Sequence, residues 1–480
     1  MSYSAMREKS DFIHDDEIES CLAYGSMTAH DSFRVRLILE HAKECRGLSP
    51  VEAAILLHVK DPELLEGIYH AAREVKERIY GNRIVLFAPL YVSNYCVNNC
   101  EYCGYKVSNR DLARRRLNRE ELVKEVEVLQ RLGHKRLALE AGEDPEHCSI
   151  DYIVDCMETI YSVKVDNGSI RRINVNIAAT TEDNYRRLAE VGLGTYILFQ
   201  ETYHRPTYRR LHPQGPKHDY DWHTTAMDRA MRAGIDDVGV GVLYGLYEPK
   251  YETIAMLLHA EHLEETFGCG PHTLSVPRLR AAEGVDLEKF PHLVSDDEFK
   301  KIVAVLRLAV PYAGMILSTR EDAGFRDEVI QLGISQVSVG SCTGVGGYMR
   351  TYEGATDGGG SGVEEKPQFE VGDHRSPLEM IKTLCQDGYI PSYCTACYRE
   401  GRTGDRFMRL AKSGQIHNVC HPNSLLTLQE YLLDYGDDEA REIGSRVIAE
   451  NLDRIPKAAA RKATEDRLAL MRAGARDLYF

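Results

Sequence analysis

The run Ile84-Val-Leu-Phe-Ala-Pro-Leu-Tyr-Val92, followed almost at once by Cys96-Val-Asn-Asn-Cys100-Glu-Tyr102-Cys103, decides the fold. A short, continuous apolar run bounded by turn residues reads as a buried strand. The loop after it carries three cysteines at CxxxCxxC spacing. Thiolates are soft ligands that suit iron–sulfur clusters and zinc. Closed structural zinc sites take four protein ligands, and no fourth cysteine or histidine lies near this trio. A four-iron cluster on three cysteines keeps one iron free for an outside ligand. A disulfide pattern does not suit an odd count of thirteen cysteines in a chain with no export signal.

Seven more β-rich runs follow: Arg136–Glu140, Ile173–Ala178, Tyr196–Gln200, Val238–Leu243, Thr273–Arg278, Met315–Thr319 and Gln336–Gly340. Amphipathic helical windows separate them, among them Arg119–Leu132, Glu252–Phe267 and Asp297–Leu308. Strands alternating with helices imply right-handed βαβ units and a parallel sheet. Eight such units over roughly 260 residues predict an α/β fold, a (β/α)8 barrel of the TIM type, for which about 250 residues is typical. In such barrels the chemistry sits where strands end and loops begin, and that is where the three-cysteine loop falls.

Four segments are expected. Residues 1–80 read as an N-terminal helical segment in which Ser49-Pro-Val-Glu52 forms a capping box. Residues 81–343 form the barrel and 344–375 a connection whose glycine-rich part runs from Gly344 to Gly362. Residues 376–480 form a mostly helical module around a second cysteine group. Hydrophobic content of 43% and charged content of 28% are those of a globular protein. A net charge of −15 argues against a broad nucleic-acid footprint. No secretory signal and no 18-residue apolar run occur, so a cytoplasmic protein without a membrane span is expected.

The CxxxCx(aromatic)C spacing, with Tyr102 as the aromatic, resembles the signature of the radical S-adenosylmethionine (SAM) superfamily. That resemblance implies that Cys96, Cys100 and Cys103 hold a 4Fe–4S cluster whose free iron chelates SAM, and that Tyr102 packs beside the adenine. Leu139-Glu-Ala141-Gly142-Glu143 ends the second run and resembles the superfamily's GGE motif, with alanine for the first glycine. Its physical need is backbone exposure and an acceptor for the SAM ammonium. Gly241-Val-Leu243-Tyr-Gly245-Leu-Tyr-Glu248, on the fifth run, resembles the GxIxGxxE segment that lines the adenine site.

The second group is Cys394-Thr-Ala-Cys397, then twenty-two residues, then Cys420. On chemistry alone an open-valence cluster and a zinc knuckle completed by His417 or Cys385 both stand. Taken with Phe199–His204 (FQETYH) and Pro271–Leu279 (PHTLSVPRL), the pattern over nearly the whole chain resembles the tyrosine-cleaving maturases of FeFe-hydrogenase. These are related to the thiamine-pathway tyrosine lyase (2-iminoacetate synthase) and, more distantly, to biotin synthase. The resemblance implies a lyase that cleaves the Cα–Cβ bond of L-tyrosine to p-cresol and dehydroglycine, then forms carbon monoxide and cyanide. It further implies an auxiliary 4Fe–4S cluster on Cys394, Cys397 and Cys420 with an additional "dangler" iron, on which an iron–carbonyl–cyanide unit for the hydrogenase is assembled. Ser318 and Arg320 are expected to grip the substrate carboxylate. His272, at the start of the sixth run, is expected at the barrel end opposite the SAM cluster as a ligand to the extra iron. His262 is expected on the barrel's outside, and Gln200 and Glu201 are candidates for lining the cavity. Implied partners are L-tyrosine, SAM, an electron donor such as ferredoxin or flavodoxin, and other hydrogenase maturation proteins. Two alternatives remain: a 2-iminoacetate synthase that stops at dehydroglycine, and a non-catalytic iron–sulfur carrier.

Overall fold

A computed structural model describes residues 9–282, 284–353 and 367–480. Eight parallel strands close on themselves: β1 (Arg83–Ser93), β2 (Arg136–Ala141), β3 (Arg172–Asn176), β4 (Leu193–Glu201), β5 (Val238–Val242), β6 (Thr273–Ser275), β7 (Gly314–Leu317) and β8 (Gln336–Ser338). The barrel shuts where β1 pairs with β8, Val85 opposite Gln336 and Phe87 opposite Ser338. Each strand matches one expected apolar run. Their side chains are buried because helices cover the outer face and side chains fill the inner one. The helices Arg119–Arg131, Pro249–Phe267 and Asp296–Ala309 lie where amphipathic windows stood.

The eleven residues of β1 outrun its neighbour, because β2 pairs only from Ala88 upward. The lower edge of β1 would leave buried backbone groups without partners. A ninth strand, β9 (Ile390–Ser392), fills the gap, with Arg83 opposite Ile390 and Val85 opposite Ser392. The C-terminal segment is therefore tied into the barrel sheet, and its helices Pro377–Gln386, His417–Asp434, Asp438–Leu452 and Ala458–Arg472 pack from that anchor.

The N-terminal helices Pro50–His58 and Pro62–Tyr80 pack on the outer helix Asp296–Ala309, flanking the barrel. Ser49 Oγ accepts from Glu52 N (3.3 Å) while Glu52 Oε2 accepts from Ser49 N (3.0 Å), so the capping box forms as expected. Residues 354–366 of the expected glycine-rich connection lie outside the described residues. Among the described residues no helix is long and apolar enough to cross a membrane.

One buried cation ties the turns below β7 and β8 together. Arg307 is fully enclosed, and its guanidinium donates to the carbonyls of Gly333 (2.9 Å from Nε), Pro311 (2.8 Å) and Ala313 (2.9 Å). Arg307→Met would leave three buried carbonyls without donors, at about 1–3 kcal/mol each. A clearly lower urea midpoint is expected, and an unchanged one would remove the residue from this role.

Candidate active site

A large cavity opens at the carboxyl ends of the barrel strands, with an empty volume of about 1560 Å³, mouth included. Cys96, Cys100 and Cys103 all stand on its wall. Their loop is pinned by backbone bonds from Val97 N to Glu143 O (2.8 Å), Asn99 N to Gln214 O (3.2 Å) and Glu101 N to Leu211 O (3.0 Å). It lies so close to the end of β2 that a Cβ on Gly142 would fall 2.3 Å from Tyr95 O. A glycine is required there for steric reasons, whatever it binds.

The three thiols are free, and burial pushes each above the ordinary cysteine range, Cys100 furthest. Donors already point at the sulfurs: Tyr105 N to Cys103 (3.4 Å), Asn98 Nδ2 to Cys96 and Gln368 Nε2 to Cys103 (both 3.8 Å). Buried thiols with donors aimed at them and the Lys217 charge nearby suit a metal, which would hold them as thiolates. Among the described residues no three His, Cys, Asp or Glu side chains converge on a single-ion position. A cubane takes one thiolate per iron, so a set spread along a cavity wall fits it better than a lone ion.

Around this loop the other expected residues take definite places. Glu143 lines the cavity and accepts from Asn98 Nδ2 (2.6 Å). Tyr102 is held in the wall through His212. That ring must donate from Nδ1 to Tyr208 O (2.7 Å), so its Nε2 accepts from the Tyr102 hydroxyl (2.7 Å). Leu243 reaches the cavity, but Gly245 does not; with φ +118 it serves the turn after β5. Glu248, at the end of the same motif, caps the helix Pro249–Phe267 through Tyr251 N (2.7 Å).

Of the neighbours Gln200 and Glu201, only Glu201 lines the cavity. The β4–β5 register shifts between Phe199 and Glu201, and Glu201 sits at φ +70, uncommon for a residue other than glycine. This bulge turns Gln200 onto Thr224 Oγ1 (2.8 Å) and Glu201 onto Lys217 Nζ (2.7 Å). Lys217, a cavity residue, went unread because nothing in its local sequence marks it.

Ser318 and Arg320 line the same cavity beyond β7. The acids that follow are occupied elsewhere: Glu321 pairs with Arg278 and Arg280, and Asp322 caps the next helix through Phe325 N (3.0 Å). Arg320 stacks on Phe369, Cζ 3.6 Å from the ring centroid, and among the described residues its guanidinium has no ion pair. Phe369 and Gln368 come from the segment read as a mere connection.

The second cysteine group lies at the opposite end, below the starts of the strands. Ser392 ends β9, and Cys394 O accepts from Arg136 Nη1 (2.8 Å), whose residue opens β2. Ala396 N donates to Cys394 Sγ (3.5 Å). The Cys420 thiol hydrogen-bonds Cys397, and this contact with nearby Arg402 holds Cys397 below the ordinary range. Arg83, first residue of β1, directs its charge at all three sulfurs. Nearby, Arg83 Nε, Arg402 Nε, Thr395 Oγ1 and His417 Nδ1 are buried without partners. Such orphans are costly, and a charged guest among the thiols would satisfy them.

His272 sits at this lower end, as expected. Its Nε2 meets the Tyr398 hydroxyl (3.0 Å), next to Cys397, while its buried Nδ1 makes no hydrogen bond and lies 3.7 Å from Asp237 Oδ1. His262 is on the outside, bound to Asp228 (2.7 Å). Cys385 feels burial alone, with no charged neighbour.

The radical SAM superfamily profile matches residues 90–260, and the biotin and thiamin synthesis associated domain profile matches 275–390. With the three-cysteine loop at the mouth of a closed parallel barrel, they define a radical-SAM enzyme, which implies a 4Fe–4S cluster and SAM. The chain is 61% identical to a crystal structure of HydG, a maturase of FeFe-hydrogenase, with a TM-score of 0.93 over 98% of this chain and 100% of that one. The HydG of Carboxydothermus hydrogenoformans is 38% identical, with a TM-score of 0.81 over 97% and 100%. A 2-iminoacetate synthase of Salmonella typhimurium is 31% identical over 357 residues, 74% of this chain and 89% of the relative. The chain belongs to the family of the HydG maturases.

Proposed function

We propose that this chain is the lyase and assembly enzyme of hydrogenase maturation. It cleaves the Cα–Cβ bond of L-tyrosine to p-cresol and dehydroglycine, converts the latter to carbon monoxide and cyanide, and builds an iron–carbonyl–cyanide unit. The observation that carries this reading is the two cysteine triads at opposite ends of one barrel, with the unpaired Arg320 on the wall of the upper cavity. Cys96, Cys100 and Cys103 hold the SAM-binding cluster, which supplies a 5′-deoxyadenosyl radical when loaded and reduced. Gly142 exposes backbone and Glu143 offers a carboxyl to the SAM ammonium, while Tyr102 closes the wall. Ser318 and Arg320 orient the substrate carboxylate. Cys394, Cys397 and Cys420 hold an auxiliary cluster with a further iron, and His272 offers that iron an imidazole. β1 spans eleven residues, about 35 Å of chain at 3.3 Å per residue, from Arg83 beside the lower sulfurs to Ser93 at the start of the upper cysteine loop. The electron donor is a ferredoxin or flavodoxin, and the product passes to other maturation proteins.

Anaerobically reconstituted protein with dithionite, SAM and L-tyrosine tests this. Both p-cresol and carbon monoxide are expected. Cresol alone would make the chain a 2-iminoacetate synthase, and no 5′-deoxyadenosine would make it a carrier. Arg320→Met should weaken tyrosine use by about 1.5–3 kcal/mol, the worth of a charged hydrogen bond, or roughly 10- to 150-fold in KM. An unaltered KM would place the carboxylate elsewhere.

A further inference from the structure

Three carboxyls line the upper cavity, Glu140, Glu143 and Glu201. Glu201 is paired with Lys217, and Glu143 holds the Asn98 amide beside the cysteine loop. Glu140 lacks a salt bridge among the described residues; its partner is the amide of Asn176. The barrel's register sets its place: Tyr91, Glu140 and Asn176 lie side by side on β1, β2 and β3, and all three face the cavity. The Arg320 charge reaches both the Glu140 carboxyl and the Tyr91 hydroxyl, which itself donates to Gln368 Oε1 (2.9 Å).

Counting charges on this wall leaves two unmatched groups. Lys217 is taken by Glu201, and Arg280 by Glu321, so Arg320 is the cation left over. With Glu143 given to SAM, Glu140 is the carboxyl left over. One cation and one acid at neighbouring places on a buried wall match the two poles of an amino acid. We infer that Glu140 receives the α-amino group of the substrate whose carboxylate sits on Ser318 and Arg320. The inference rests on the tyrosine reading above and adds the residue that recognises the amine.

This placement bears on the chemistry. In the proposed reaction the amino nitrogen gives a hydrogen atom to the 5′-deoxyadenosyl radical, so the N–H bond breaks as a C–H bond of 5′-deoxyadenosine forms, and giving it from an ammonium would strand a cationic radical in a buried site. A carboxylate beside the ammonium removes that cost. One N–H bond breaks, one O–H bond forms on Glu140, and the pair of electrons stays on nitrogen as the lone pair of a neutral amine. Burial, opposed by Arg320 and Asn176, pushes the Glu140 carboxyl up, which brings its proton affinity closer to that of an amine and lowers the cost of the transfer.

Equilibrium dialysis of the reconstituted, SAM-loaded protein tests the inference with two probes, L-tyrosine and 3-(4-hydroxyphenyl)propanoate, which lacks the amine. The wild type should prefer tyrosine by roughly 100-fold, the scale of a charge-assisted hydrogen bond. In Glu140→Gln the preference should shrink to within about 5-fold, whereas Arg320→Met should weaken both probes alike. Glu140→Asp, which keeps the acid, should restore most of the preference; it is read in place of Glu140→Gln if that variant fails to take up iron. A wild-type preference surviving in Glu140→Gln, or lost in Glu140→Asp, overturns the amine assignment alone. A wild type that binds neither probe overturns the tyrosine reading and this inference with it.

Discussion

Replacing Cys96, Cys100 and Cys103 together by alanine is expected to reduce 5′-deoxyadenosine formation to that of protein-free buffer. The cause is local. The thiols are the groups on this wall suited to hold a cluster, and among the described residues no three His, Cys, Asp or Glu side chains converge on a single-ion position that could replace them. The fold should survive, because the loop is pinned by backbone bonds through Val97, Asn99 and Glu101 that use no sulfur. Removing three buried thiols also removes their desolvation cost. Iron content should therefore fall by about four per chain, one cubane, while the lower triad keeps its share. The check is iron and sulfide analysis beside chromatography of the nucleoside. Continued deoxyadenosine production by a variant that has lost this iron would dismiss the loop as the SAM-cleaving centre.

What the sequence discloses, and what it hides, follows from how each feature is encoded. All eight barrel strands were legible, since buried parallel strands are short apolar runs and the helices between them carry a 3.6-residue stripe. Their ends were less so. The sixth run was expected to reach Arg278; the continuous ladder stops at Ser275, since Pro277 has no N–H to give, and pairing resumes in an isolated bridge between Tyr244 and Arg278. The cysteine triads were legible because their ligand spacing lies within one or two loops. Glu140, Asn176, Lys217 and Gln368 reach the cavity through register and loop packing between residues far apart in the chain, which no local pattern records. Gln200 and Glu201 show the limit most sharply. Alternation puts them on opposite faces, yet a bulge with φ +70 at Glu201 decides which one faces inward. Likewise Arg83 and Arg402 look like ordinary surface charges until β9 and the helix His417–Asp434 close the space around the lower cysteines.

Replacing Cys394 and Cys397 by alanine is expected to give the opposite split from the upper triad: p-cresol continues, and the iron–carbonyl product is lost. Both sites share the barrel but no ligand. The upper cavity is walled by the carboxyl ends of the strands, whereas Cys394 hangs from Arg136 at the start of β2. The backbone that carries the lower triad does not depend on its sulfurs, since β9 is held to β1 by strand pairing from Arg83 to Val85. With two thiolates gone, Cys420 alone cannot retain a cluster, and His272 loses the iron it would ligate while keeping its Tyr398 contact. Infrared absorption of bound carbonyl and cyanide should vanish, and iron should fall by about five per chain, the auxiliary cubane and its extra ion. Cresol should stay within a few-fold of wild type. Loss of cresol from a variant with unchanged circular dichroism would mean that the lower cluster acts on the upper chemistry, through the Arg83–β1 path that joins the two ends, and the division of labour between them would fall.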